Sequence, residues 1–246
     1  MSSAQRLEWR PSFYARGGGV VGDIITLLHP PYTAWHLSYV ALGAAAAPEV
    51  HGNRVGFALL AFFLAVGIGA HAFDELHGRP LRTRLSRRAL AVMGGLALVA
   101  ATGIGVAGIL TVSLTLTPLV AFGTWICVAY NLELFGGRFH NDAWFALAWG
   151  AFPALTGYWA NALTITAGGA LVTIGCAALS VAQRRLSTPA RLLRRKTVTV
   201  SGEQRLSDGT SIELSQAGLL GPLDGALKAC SIAITLLAAG LLAVRL

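Results

Sequence analysis

Seven long apolar stretches constrain this chain more than anything else in it. A bilayer core takes about 20 apolar residues per helix, with roughly 17 to 25 tolerated. Pro31–Ala47, Val55–Phe73, Ala89–Leu110, Val112–Tyr130, Ala143–Ala160, Leu163–Gln183 and Leu219–Val244 all have that length. The expectation is an all-α, polytopic membrane helix bundle of about seven transmembrane helices. Only 12% of the 246 residues are charged, about half the share usual in a soluble domain, which excludes that class.

Charge placement tests the count. With the N-terminus cytoplasmic, the inner segments hold Arg6, Arg10 and Arg16, then Arg79, Arg82, Arg84, Arg87 and Arg88. Arg138 follows, and then Arg184, Arg185, Arg191, Arg194, Arg195, Lys196 and Arg205. Only Arg54 and Arg245 fall outside. A miscounted helix would scramble this positive-inside pattern. Basic loops beside apolar spans read as headgroup contacts and topology signals, so no nucleic-acid partner is expected. The N-terminus has no signal-peptide core, and the expected location is the cell membrane, multi-pass.

The organisation is one integral membrane domain over 1–246. It comprises a cytoplasmic N-terminal segment at 1–28, a six-helix core at 31–183, a basic and polar cytoplasmic loop at 184–218 and a last transmembrane helix at 219–244. Within the loop, "ARLLRRK" is expected to lie along the membrane as an amphipathic turn. "TVTVSGEQRLSDGTSIELS" alternates around Ser207-Asp208-Gly209 as a small hairpin would.

The chemistry concentrates in "GIGAHAFDELHGRPLRTRLSRRAL", where a greasy segment ends in His71, Asp74, Glu75 and His77 and runs into arginines. Asp74 and Glu75 lie three and four residues from His71, so a helix puts them on one face. Ionisable groups in a span are expensive and therefore functional candidates; the plainer alternative is an interfacial helix end paired to the local arginines. A second cluster, "YNLELFGGRFHND", supplies Tyr130, Asn131, Glu133, Arg138, His140, Asn141 and Asp142. Asn141 or Asp142 suits a helix cap and Gly136-Gly137 a turn. Both loops face one compartment and can meet over one cavity. His29 and His36, in "LLHPPYTAWHLSYV", sit among interfacial aromatics, with His29 expected to reach the headgroups. Cys127, Cys176 and Cys230 lack metal spacing and read as small core residues.

These residues resemble the UbiA superfamily of intramembrane prenyltransferases. That family carries N-D-x-x-D-x-x-x-D after its second helix, then R-P-L and a segment ending I-S-x-x-x-A-L. Here Arg79-Pro80-Leu81, Leu85-Ser86 and Ala89-Leu90 match the second part. The segment from Tyr130 through Gly150, Pro153 and Gly157 is similar to the family's fourth and fifth helices, and the resemblance covers roughly residues 27 to 185. In the acidic motif, His71 stands at the Asn, Ala72 at the first Asp, Glu75 at the middle Asp and Arg79 at the last. The second acidic motif has no counterpart, since no carboxylate lies between Asp142 and Glu203. The family typically has nine spans.

The resemblance implies a UbiA-like core and a divergent prenyl or lipid transferase acting on an isoprenoid or other lipid at the cytoplasmic leaflet. Asp74 and Glu75 would be the surviving metal or acid/base groups, with Mg²⁺ as the ion and His71 and His77 assisting. Arg79, Arg82 and Arg138 would contact phosphate, while Tyr130 and Asn131 line the pocket. Membrane lipids and isoprenoid diphosphate are the expected partners. The rival is a non-catalytic scaffold or lipid-binding subunit, packed against a membrane partner or its own copies through glycines such as Gly94, Gly95 and Gly103. Asp224 four residues before Lys228 raises a retinal protein, against which an ordinary helical ion pair is the simpler reading.

Overall fold

The computed structural model describes residues 11–16 and 19–246; Arg6 and Arg10, counted above, lie outside the described residues. The chain is all-α, 75% helical. A short helix α1 (Gly19–Leu27) leads into α2 (Pro30–Ala45), whose prolines fall in the first turn, where an N–H would be unsatisfied anyway. Helix α3 (Gly52–Gly78) is wound as π-helix over Phe63–Ala70. Then come α4 (Arg87–Thr111), α5 (Leu114–Asn131) and α6 (142–162), the last with a second π stretch at Leu147–Ala151. Helix α7 (Ala167–Arg195), strands β1 (Glu203–Arg205) and β2 (Ser211–Glu213), and α8 (Gln216–Arg245) complete the chain.

Among the described residues, four helices are long and apolar enough to cross a membrane: α3, α4, α5 and α8. Helix α2 has only 16 residues and α7 turns basic halfway along, so length and composition alone stop at four. Large apolar side chains such as Leu96 and Val99 on α4, Leu171 and Ile174 on α7, and Leu236 and Leu237 on α8 point outward. Faces like these need a nonaqueous neighbour.

The expected loop at 184–218 requires correction. Helix α7 runs on past Gln183, through Pro189, to Arg195, so "ARLLRRK" is helix for most of its length. The reason is periodic: Gln183, Ser187 and Ala190 are buried at helical spacing on the face toward the bundle. The hairpin is present, with Glu203 opposite Glu213 and Arg205 opposite Ser211.

Helix α2 is the hub, packed on α6 and α8. Its approach to α6 depends on missing side chains. A Cβ on Gly43 would lie 1.9 Å from the Ala154 carbonyl oxygen, and one on Gly157 would lie 2.1 Å from that of Val40. The central core joins Phe62, Val66 and Phe73 of α3 to Ile126 and Tyr130 of α5 and Trp149 and Phe152 of α6. Helices α5 and α6 meet through long side chains: Phe122 on Phe152 at 5.0 Å between centroids, and the Trp159 indole donating to Thr115 at 3.0 Å.

Candidate functional site

The two π stretches position the site. Winding a helix more loosely frees carbonyls from the regular ladder and re-aims the following turns. On α3 the Gly67 carbonyl accepts from His71 Nδ1 at 3.1 Å. On α6 the Trp149 carbonyl accepts from His36 Nδ1 at 2.7 Å. The loop after α5 repeats the device, its Tyr130 carbonyl accepting from His140 Nδ1 at 3.1 Å. A carbonyl cannot donate, so each of these rings holds its proton on Nδ1 and, when neutral, leaves Nε2 as an acceptor. His29 differs. Its Nδ1 bonds the Tyr14 hydroxyl, a phenol that burial pushes well above its usual range; a hydroxyl can donate or accept, so this bond leaves the ring free to take either tautomer. His29 also stacks on His71, centroids 4.2 Å apart.

These groups surround a cavity of about 120 Å³, lined by Ser12, Tyr14, His29, Tyr32, His36, His71, Asp74, Tyr130, Asn131, His140 and Gln183, with Arg184, Arg191, Arg194 and Arg195 along one side. Arg184 Nε donates to Asp142 Oδ1 at 2.7 Å, a bond that holds the Asp142 carboxyl below the usual carboxylate range. Arg194 is paired with Asp224. Arg191 and Arg195 have no carboxylate within ion-pair distance among the described residues; their guanidiniums reach only Thr188 and the Pro11 carbonyl. Burial pulls both below the usual arginine range. Both are half-buried; a guanidinium does not give up its proton, and drawing an ion partly out of water without a counter-charge is unfavourable. The Tyr130 hydroxyl and Gln183 Oε1 are buried and unpartnered among the described residues. Among the described residues, the cavity therefore gathers more cations than carboxylates and holds two unsatisfied polar atoms.

Below it lies a second, apolar cavity of about 430 Å³ between α3, α4, α5 and α6. It runs from Asn53 and Arg54 at one end to Cys127 and Trp149 at the other. Val66 and Trp149 line both cavities, and each comes from a π stretch.

The expected site residues divide. His71, Asp74, Tyr130 and Asn131 line the polar cavity. Glu75 does not. It is fully buried on the other side of the helix, where Oε2 accepts from Leu81 N at 2.9 Å. Its Oε1 accepts from Thr83 N and Oγ1 at 2.8 and 3.0 Å. Its oxygens are thus committed to the turn in which Arg79 and Arg82 take positive φ. Arg79 caps that turn by donating to the Thr83 carbonyl; Arg79, the exposed Arg82 and the exposed Arg138 lie outside the cavity lining. His77 faces Glu133 at 3.8 Å, and Glu133 also approaches His140 at 3.9 Å, so the two polar loops do meet. Asn141 caps α6 through Trp144 N.

Sequence reasoning set His29 and His36 aside as interfacial residues and missed Arg191, Arg194 and Arg195 of α7, which line the cavity with them. A signal existed: Arg184, Arg191 and Arg195 recur at helical spacing across the supposed loop.

The resemblance implies magnesium held by two acidic motifs, and this donor set does not fit that arrangement. Among the described residues the cavity lining offers one carboxylate, Asp74, where a site built from two acidic motifs brings several hard oxygens. Among the described residues, no group of three or more His, Cys, Asp and Glu side chains is placed to hold a metal ion. No family model, no curated protein and no solved structure matches the chain.

Proposed function

We propose that this is a seven-span, UbiA-like membrane protein that takes an amphiphile, an isoprenoid or other lipid with an anionic head, at the cytoplasmic leaflet. The observation that carries the reading is the shared wall. Val66 and Trp149 join a basic, histidine-lined cavity to an apolar one within the roughly 300 to 1,000 Å³ usual for ligand pockets. A charged head and a greasy tail are the two halves of one ligand. The positive-inside pattern supports a cytoplasmic N-terminus and, with it, a polar cavity on the inner face.

In this reading the protein is a divergent transferase. Asp74 is the acid or base, and the bare Nε2 of His71 is its neighbour for moving a proton. Tyr130 and Asn131 shape the head pocket. Glu75 and Arg79 hold the turn after α3, and His77 meets Glu133 of the loop after α5. A second reading, a lipid-binding subunit without chemistry, is favoured by the lack of a magnesium-binding carboxylate set.

The test is mass spectrometry of lipids that co-purify with the protein. An amphiphile with a phosphate head should be enriched over the bulk membrane extract; recovery of bulk lipid alone would sink the proposal. Incubation with that lipid and extracted acceptors then separates the readings. The transferase yields a new product that Asp74→Ala abolishes, and the binding subunit yields none.

A further inference from the structure

We propose that the head of the bound amphiphile is a phosphate ester gripped without a divalent metal, by Arg191 and Arg195 on the cytoplasmic end of α7. The inference rests on the amphiphile reading above and adds what holds the head.

The two arginines are set apart from the other cations of the cavity by their partners. Arg184 and Arg194 are each neutralised by a carboxylate, while Arg191 and Arg195 have none within ion-pair distance among the described residues. They lie four residues apart, about 6 Å along the helix, so both can reach one ligand from consecutive turns. Across the cavity on α5, the Tyr130 hydroxyl has no partner among the described residues and belongs to a residue only 4% exposed. The phenol can donate to an anion's oxygen. Gln183, 2% exposed, lies about 12 Å back along α7 from Arg191, and its Oε1 is likewise without a partner among the described residues.

Geometry favours phosphate over carboxylate. Donors on α5 and α7 approach from different directions, which suits a tetrahedral group with three terminal oxygens better than a planar one with two. Charge argues the same way. Among the described residues, Asp74 is the one carboxylate lining the cavity, and it lies within electrostatic reach of Arg191, Arg195 and His140. One carboxylate opposes the head but does not cancel the cations around it.

The experiment uses the full chain in phosphatidylcholine nanodiscs, titrated with dodecyl phosphate, dodecanol and inorganic phosphate, each in excess magnesium and again in EDTA. Dodecyl phosphate should bind more tightly than dodecanol, and equally in both buffers. Arg191→Gln with Arg195→Gln should weaken dodecyl phosphate by about tenfold or more and leave dodecanol unchanged. Arg191→Lys with Arg195→Lys keeps the charge but loses the fork, and should recover part of that loss; a folding defect would weaken dodecanol as well. A magnesium requirement, or equal affinity for dodecyl phosphate and dodecanol, overturns the guanidinium site and leaves the amphiphile reading standing. Inorganic phosphate binding as tightly as dodecyl phosphate would assign the site to the free anion and overturn the lipid source. Failure of both dodecyl ligands to bind overturns both proposals.

Discussion

Asp74 and Glu75 are neighbours with opposite environments, and single substitutions should separate them. Glu75 accepts three hydrogen bonds, two from backbone N–H groups of the turn after α3. Glu75→Ala strands those donors in a buried place at about 1 to 3 kcal/mol each. A clear fall in melting temperature is therefore expected with or without ligand, and an unchanged melt would show that the turn does not depend on Glu75. Asp74 makes no comparable structural bonds. Asp74→Asn should leave the melt nearly unchanged, tighten binding of an anionic amphiphile by removing the opposing charge, and stop any turnover. The spacing of His71, Asp74 and Glu75 predicts one shared face, and only His71 and Asp74 line the cavity together. Adjacent residues on a helix are still about 100° apart, so a single cavity faces one of the two carboxylates more than the other. Which one is decided by the loop that folds back onto Glu75, a tertiary event with no local signature.

Among the elements, α2 and α6 form the tightest contact, and the π stretches give the site its shape. Four spans, α3, α4, α5 and α8, were readable because hydrophobic length survives any detail of packing. The π windings were not, since they follow from where carbonyls are needed: Gly67 and Trp149 each offer one to a cavity histidine. The arginine face of α7 was hidden for another reason. Pro189 and a run of cations read as loop, yet helical burial continues through Ser187 and Ala190 to the end of the helix. Glycine tests the packing directly. Gly157→Ala would drive a methyl into the Val40 carbonyl, and backbone cannot step aside as a flexible side chain can. Overpacking of this kind costs about 1 to 3 kcal/mol and occasionally more. Gly175→Ala on α7 meets nothing within 4 Å and should melt like the parent protein. Equal melts for the two variants would mean that α2 and α6 do not pack as closely as described.

At the scale of the molecule, the two cavities act as one site only if a ligand can lie across Val66 and Trp149. Neither cavity alone explains the arrangement: the polar one is too small for a lipid tail, and the apolar one carries a single charged lining residue, Arg54, at the end away from Val66 and Trp149. Val66→Trp tests the connection. An indole at that position closes the junction, and the 430 Å³ of space beside it gives the larger side chain somewhere to go, so the melting temperature should fall little. With the junction closed, the affinity for dodecyl phosphate should drop toward that for inorganic phosphate, because the tail can no longer follow its head into the bundle. Affinity for inorganic phosphate itself should hold, since Arg191, Arg195 and Tyr130 are untouched. If Val66→Trp binds dodecyl phosphate as tightly as the parent protein, the tail lies elsewhere and the cavities are separate features. Should affinity for both phosphates fall together, the substitution has disturbed the head pocket, and Val66 is part of that pocket rather than a passage out of it.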